Sequence, residues 1–571
     1  MFRSPARLFY LGVAVCLAWV GLYGVVVNLG RVERVGARPS TTITVNNIND
    51  SGPGSLRQAV LDANATPGAD VIQITAVGVI HLLSPLLVIG EETTIQGPGA
   101  GQLAVDGSDS FRVLESTAVP LTIADLTIQN GRPPSGEGGG VRSLGTLTLN
   151  NVAVLSNTSQ VGGGGVYAAG QAQIVNGRFE NNRSVGSLGG GLLVTNRAFI
   201  TGTQFISNTS AAQGGGAVVY TYSSLWATRF ERNRSRFANG GGLYASGVVT
   251  LTETTLISNT AFNDGGGMLA FGQANVYRSQ FINNQCADQG GAMYVGSFLT
   301  VRQSAFVGNQ GGRGGAIFHN ALTGSLENTL LAGNTATTAG AHLFLNGSYP
   351  VALTHVTAVG AAGGGTAVHN VNADVTLTNT IIASHTIGVN NLNGSVSQDY
   401  NLFYGNDADT QGTVTGGANN ASGDPRFIDP VHDNYHLGAG SAAIDAGTDT
   451  AVYNDYDGEI RPLDNGFDIG FDESNYIAGL AIAFTPQPTT TVGVSTTFTA
   501  TVTRGTGISY DWDFGDGTAV VTGNPVAHIF SAPGIYPVTV TATNSSGSVT
   551  AATTIEVLPL PHTLFLPVVR R

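Results

Sequence analysis

Between Gly140 and Gly340, apolar and polar positions repeat on a steady beat. An apolar residue stands three positions before an asparagine in VLSN, FENN, FISN, FERN, LISN, FINN, FVGN and LAGN. These quartets end at Asn157, Asn182, Asn208, Asn233, Asn259, Asn284, Asn309 and Asn334, at intervals of 25 or 26 residues. Glycine clusters keep the same beat, ending at Gly140, Gly165, Gly191, Gly216, Gly242, Gly267, Gly291, Gly315, Gly340 and Gly365. The runs between them, such as GVVTLTETTLISN, are rich in Thr and β-branched residues. The Ala- and Leu-rich, 3.6-residue spacing of a helical repeat is missing. About 25 residues accommodate three short strands and three bends. Stacking such units predicts an all-β fold, a right-handed parallel β-helix of about 25 residues per coil. With coils about 4.8 Å apart, roughly 13 coils from Val71 to about Asn401 make a rod of about 60 Å.

Stacking gives each repeated position a job. Glycine serves the sharp corner, where φ > 0 penalises a Cβ. The Phe or Leu of each quartet forms an apolar column inside the coil. The eight asparagines are expected to bond one another from coil to coil as a structural amide ladder. Asn157, Asn182, Asn208 and Asn233 also match the N-x-S/T glycosylation acceptor. The column continues through Asn259 to Asn334 without that motif, so repeat position explains all eight. The triple glycine Gly214–Gly216 lacks both the Lys and the following helix of a phosphate loop, which favours scaffolding.

Charge adds constraints. Only 11% of the 571 residues are charged, and all 24 basic residues are Arg. Lysine Schiff-base chemistry is therefore excluded. A net charge of -13 argues against a nucleic-acid partner. Residues 1–37 carry Arg3 and Arg7 ahead of an apolar run from Leu8 to Gly30, with small residues at Val35-Gly36-Ala37. Two readings stand: a cleaved secretion signal, or an uncleaved N-terminal membrane anchor, since the run is long enough to span a bilayer. The exported part keeps one thiol, Cys286, and no internal disulfide.

An open stack needs ends. Residues 41–130 are assigned to an N-terminal cap and the first coils. Ser55 and Gln58 have capping-box spacing, and Leu56, Ala59, Val60 and Ala63 form one apolar helical face. This stretch resembles the CSLREA domain of bacterial surface proteins through Gly54 to Arg57, Ala59 and Ala63-Asn64. Regular repeats are assigned to 131–423. Residues 424–475 are acidic, with 12 of the 37 acidic residues against Arg426 and Arg461. Their motifs DPRF, NYHL, GSAAIDAG, DYDGEIRP and DIGFDE resemble, in order, the choice-of-anchor Q domain, which implies a C-terminal cap. The sequence ends that series with Gly470-Phe471-Asp472-Glu473 where the family tends toward Gly-Ala-Phe-Glu. Asp455, Asp457 and Glu459 alternate around Gly458, a spacing of hard oxygen ligands that suits Ca2+. The alternative is an Asp-Gly turn with solvated charges and pairing to Arg461.

Beyond Asn475, Thr/Val alternation as in VSTTFTATVTRG predicts an antiparallel sandwich over 478–558, followed by a tail at 559–571. SYDWDFGDGT and VAHIFSAPGIYPVTVTATNSSGS resemble a PKD domain, through Trp512 to Gly517, His528, Phe530, Pro533, Gly534, Tyr536, Val538 and Asn544 to Gly547. That resemblance implies an immunoglobulin-like fold acting as a spacer or binding module. The Asp residues of the Gly515-Asp516-Gly517 turn are read as turn formers.

Catalysis on a β-helix needs paired carboxylates, or Ca2+ plus a base, on adjacent coils. Between Gly140 and Gly340 the acids are Glu180, Glu231, Glu253, Asp264, Asp288 and Glu327. Glu180 and Glu231 share a position but stand two coils apart, roughly 10 Å by strand spacing. Arg183 and Arg234 share a register as candidate lyase bases. Tyr220, Phe271, His319, Phe344 and His369 each fall four residues after a last glycine. If that position faces outward, they form a ligand-binding strip able to stack on sugar rings. No catalytic residue is assigned. The sequence supports an exported, extracellular or cell-surface bacterial protein that is structural or adhesive and contacts glycans or other surface proteins. The alternative is an extracellular polysaccharide lyase or glycoside hydrolase.

Overall fold

A computed structural model describes residues 40–560 except 321, 362–363, 464 and 545–546. The proposed signal or anchor at 1–37 and all but the first residues of the tail lie outside the described residues. No helix among the described residues is long and apolar enough to cross a membrane.

The chain winds into a parallel β-solenoid. One 13-stranded parallel sheet takes one strand from each coil, from Leu114–Ser116 to Ala408–Gln411. A 25-stranded sheet takes the other long strands and bends along its length. Two-residue strands such as Thr209–Ser210 form a narrow third sheet on coils 158 to 261. Side chains alternate across each strand, so Ile200, Leu225, Leu251 and Val276 line up inside one continuous core. The quartet rings stack within it, with centroids 4.8 Å apart for Phe179–Phe205 and 4.7 Å for Phe205–Phe230.

Glycine is expected at every corner, but two of the three corners mostly use other residues, with glycine taking them at Gly202, Gly308 and Gly333. Ser207, Arg232, Ser258 and Asn283 mark one corner with positive φ, and Glu253, Arg278, Gln303 and Asn328 mark another. Only the third demands glycine. Gly214 sits at φ +64, and a Cβ there would lie 2.4 Å from the carbonyl oxygen of Ala217. The triple glycine is packed scaffold, since Gly214, Gly215 and Gly216 donate their N–H groups to Asn239, Gly240 and Gly242 of the next coil. No anion-cradling donors remain there.

At the N-terminal end, helix Leu56–Ala65 buries Leu56, Ala59, Val60 and Ala63 in the core with Val45 and Ile72. Ser55 caps it by accepting from the N–H of Gln58, whereas the Gln58 side chain turns to Asp62. The box is therefore half made. At the other end the final strands, Ala408–Gln411 and Thr415–Gly416, are exposed. The acidic segment does not plug that end. It lies along the side of the rod as a clasp, held at one corner of four successive coils. There Gln303 donates to the Asp455 carbonyl and Asn328 to the Asn454 carbonyl. His355 meets Thr450 and the Gly470 carbonyl, and Asn379 donates to the Thr448 carbonyl.

The clasp sits where the rod's outer surface turns apolar. On the second strand of each coil, outward positions in the uncovered part hold charged pairs on alternate coils, Arg178 with Glu180 and Arg229 with Glu231, between coils with Gln204 and Ile206 and with Thr255 and Ile257. Farther along they become Ala305, Leu330, Ala332, Val359, Ile381 and Ala383. Tyr435, Phe471, Leu437 and Ile469 of the clasp pack on these side chains. Burial of that strip supplies the hydrophobic drive for docking.

Candidate functional site

All eight repeat asparagines are buried in a single column. Each Nδ2 donates to the Oδ1 of the next asparagine at 2.9–3.0 Å, from Asn157–Asn182 to Asn309–Asn334. Each Oδ1 also accepts the main-chain N–H of the preceding asparagine, as in Asn208 to Asn233 at 3.0 Å. The second amide hydrogen goes to a carbonyl, as from Asn233 to Phe205. Every polar atom of an internal rung is thereby engaged. The four sequons sit inside the wall, out of reach of a glycosylating enzyme in the folded rod.

The five-residue aromatic and histidine strip does not form one column. His319 pairs in register with Val295 and Leu345 and is buried facing the core. Phe344 and His369 are register partners one residue earlier in the strand, with ring centroids 4.9 Å apart. Tyr220 and Phe271 lie just past their strands Ala217–Val219 and Met268–Ala270. The cause is a drifting landmark. Glycine triplets become Gly314-Gly315-Ala316 and then Gly340-Ala341-His342, so counting from the last glycine slides by one residue and then two. The true outward column runs Tyr244, Leu269, Tyr294, Phe318, Phe344 and His369. Its rings mostly face one another, at 5.4 Å for Tyr294–Phe318 and 5.1 Å for Phe318–Phe344. Phe271 is 47% exposed and sits edge-on to both Tyr244 and Tyr294.

The glutamates of the repeat are ion-paired. Arg178 holds Glu180 at 2.5 Å, and Arg229 and Arg232 hold Glu231. Arg278 reaches Glu253 at 3.1 Å and Arg302 reaches Glu327 at 3.6 Å. Asp264 is half-buried, accepts the N–H of Gln289 and has its carboxyl pushed up by burial. Cys286 is buried, and that burial pushes its thiol up to about 12, which makes it a poor nucleophile. Arg183 and Arg234 are register neighbours two coils apart, through Thr209.

Asp455, Asp457 and Glu459 do not converge on a common point. Asp455 spends one oxygen on the N–H groups of Asp457 and Glu459 and the other on that of Glu473. Asp457 turns to His436, and Glu459 accepts from Asn475. The alternation is a turn whose first carboxylate binds its own backbone. A different set comes together, with His436, Asp457 and Asp472 offering ligand atoms within 4.8 Å of one another. Hydrogen bonding decides its character. Asn434 Oδ1 is fixed as an acceptor by the main-chain N–H of His436, so Nδ1 of His436 must donate to it at 2.7 Å. Nε2 donates to Asp457 at 2.7 Å. A ring donating from both nitrogens is an imidazolium. The set is an ion-pair cluster.

Behind it lies Arg461, wholly buried. It holds Glu473 at 2.8 Å and donates to the carbonyls of Asp468, Asp472 and Gly470. Burial pushes Asp472 up to about 7 and Asp455 up to about 6. Asp468 and Glu473 are raised too, chiefly by burial. Burial alone would lower His436, but the bond to Asp457 and the charges of Asp472, Asp457 and Asp455 push it up to about 9. Raised carboxyls bind protons more tightly in the docked state, so their contribution is full below about pH 4 and is lost as pH rises through about 6 to 7. His436 adds stability that is full below its ordinary value near 6.5 and is lost through about 9. Both signs agree. Hydrogen exchange at residues 424–475 is expected to speed up from pH 6 to pH 9, relative to the rod and after correction for intrinsic rates. Uniform protection across that range would contradict the burial of this cluster.

The last unit is a two-sheet sandwich of three and five strands, which share a core of Phe498, Trp512, Phe514, Phe530 and Val538. Trp512 is buried and donates Nε1–H to the Gly523 carbonyl at 2.9 Å. Asp513 and Asp516 accept from the N–H groups of Gly515 and Thr518, as turn formers do. Residues 480–557 match the PKD domain family. A solved structure similar to this region is the solution structure of the PKD domain from human VPS10 domain-containing receptor SorCS2. Identity is 24%, the match covers 15% of this chain and 81% of that one, and the TM-score is 0.14. No curated protein matches the chain. In the PKD domain of this chain, Asp516 also pairs with His528 at 2.8 Å, and the His528 ring stacks on Phe514 at 3.9 Å. Asn475, just after the clasp, accepts the N–H of Thr506, and Arg504 donates to the Ser474 carbonyl. The PKD domain is thus bonded to the residues that leave the clasp.

Proposed function

We propose that this chain is an exported structural and adhesive protein of the bacterial surface, whose rod contacts glycans or other surface proteins. The PKD domain serves as a spacer or a second binding module. The observation that carries this reading is the pairing of the rod's repeat glutamates with arginine. A glycosidase needs one carboxyl held protonated beside an ionised partner at a set separation. Arg-bound glutamates two coils apart are poorly suited to that chemistry. The helix at Leu56–Ala65 and the clasp fit the CSLREA and choice-of-anchor Q resemblances, and the N-terminal signal or anchor would direct export.

The test is a glycan array run alongside reducing-sugar and unsaturated-product assays on the same polymers. Binding without product release is expected. Steady product release would replace this reading with a carbohydrate-active enzyme working in a surface groove of the rod.

A further inference from the structure

One stretch on the outer face of the 25-stranded sheet gathers several aromatic rings on an uncharged surface. Two outward ranks run side by side along the axis. One is Gln173, Phe199, Ser224, Thr250 and Asn275, and the other is Val175, Thr201, Trp226, Thr252 and Tyr277. None of these ten side chains is charged near neutral pH. Trp226 is 50% exposed and Phe199 is 36% exposed. Tyr222 flanks Phe199, with ring centroids 5.9 Å apart. Charge resumes at the edges, at Arg197 in register with Tyr222, at the Glu253–Arg278 pair on the corner just past Thr252 and Tyr277, at Arg302 and Glu327 farther along the axis and at Arg229 and Glu231 on the next strand.

We infer that this face binds a neutral, extended polysaccharide lying along the rod axis, with Trp226 and Tyr277 as its stacking platforms. The inference rests on the glycan-contact reading above and gives it a face and a ligand chemistry. Three properties choose the occupant. An uncharged strip on a chain of net charge -13 complements a neutral polymer and disfavours a polyanion. Exposed Trp226 and half-buried Tyr277 pair a flat apolar surface with a polar edge, as a sugar ring's faces and rim require. Trp226 and Tyr277 share a rank two coils apart, about 9.6 Å by strand spacing. A sugar in an extended β-1,4-linked chain advances by nearly one coil and turns the same face inward at every second residue. Both rings then meet equivalent sugar faces, while Ser224, Thr250 and Thr252 reach the hydroxyl groups between them.

The experiment is affinity electrophoresis of the full chain through gels containing hydroxyethyl cellulose, glucomannan or polygalacturonate. The wild type is compared with W226A, Y277A and F271A, the last lying outside this face. The platform rings lie outside the rod's core, so melting curves are expected to be nearly unchanged and to verify folding. Retardation is expected with the neutral polymers only, weakened about tenfold or more in W226A and Y277A and unchanged in F271A. Equal retardation of W226A, Y277A and wild type, with loss in F271A, would overturn this face while leaving glycan contact standing. Retardation by polygalacturonate would overturn the charge argument. No retardation by any polymer would overturn both the face and the glycan reading.

Discussion

Asn233→Leu is expected to lower the stability of the central coils by about 3–5 kcal/mol, as four buried groups each lose a partner at about 1 kcal/mol apiece. Leucine keeps the branching of asparagine but is larger, so overpacking in the wall adds to the loss of hydrogen bonding. Asn208 loses the acceptor for both its main-chain N–H and its Nδ2. The Phe205 carbonyl and Asn259 Oδ1 each lose a donor. All these atoms lie inside the wall, where water does not replace the partner. Coils interact with their neighbours alone, so the damage should be local. Calorimetry should show a lower melting temperature, and hydrogen exchange should quicken at Asn208 and its neighbours well before the PKD domain. A melting temperature equal to wild type would mean that the ladder contributes nothing net.

The second large effect concerns Arg461. Arg461→Met leaves Glu473 buried without its cation, and breaking a buried pair from one side costs about 3–5 kcal/mol. The carbonyls of Asp468, Asp472 and Gly470 lose donors as well. The clasp should open while the rod stays wound, because the rod's own hydrogen bonds run from coil to coil. Limited chymotrypsin digestion is the direct readout, since Phe467 and Phe471 are buried only while the clasp is docked. Arg461→Met combined with Glu473→Leu should recover much of the loss, since replacing both partners removes the stranded charge. Cleavage of the single variant at the wild-type rate would show that the pair does not hold the clasp.

Much of this was legible in the sequence, because a solenoid writes its geometry as a period. The Asn beat, the Phe column and the face Leu56–Ala59–Val60–Ala63 are set by near neighbours and read straight off the chain. The lateral clasp was not legible by counting. Its signal is a change in what the outward positions hold, from Arg229 and Glu231 to Leu330 and Ala332, and it appears only once the facing of each strand is known. The aromatic column was misplaced because Ala316 and His342 replace glycines that had served as the landmark. The Trp226–Tyr277 face needed pairing across coils, since its members stand 51 residues apart in the chain. Sequence spacing likewise cannot show that both Asp455 oxygens accept backbone N–H groups.

The amide column has a direction. Asn157 presents its oxygen to the Gly131 N–H, and every later oxygen likewise points back toward the N-terminus. At the far end Asn334 donates to Nδ1 of His342, which burial keeps neutral and able to accept. The two tips of the column are therefore chemically unlike. As the chain is delivered N-terminus first, each finished coil waits with two donors, and the arriving coil brings the single oxygen that satisfies both. A turn inserted one residue out of step would offer those donors the wrong side chain. The column thus favours one register of winding, coil by coil, and ends where the His342 ring accepts the last amide, while further coils continue to Ala408–Gln411.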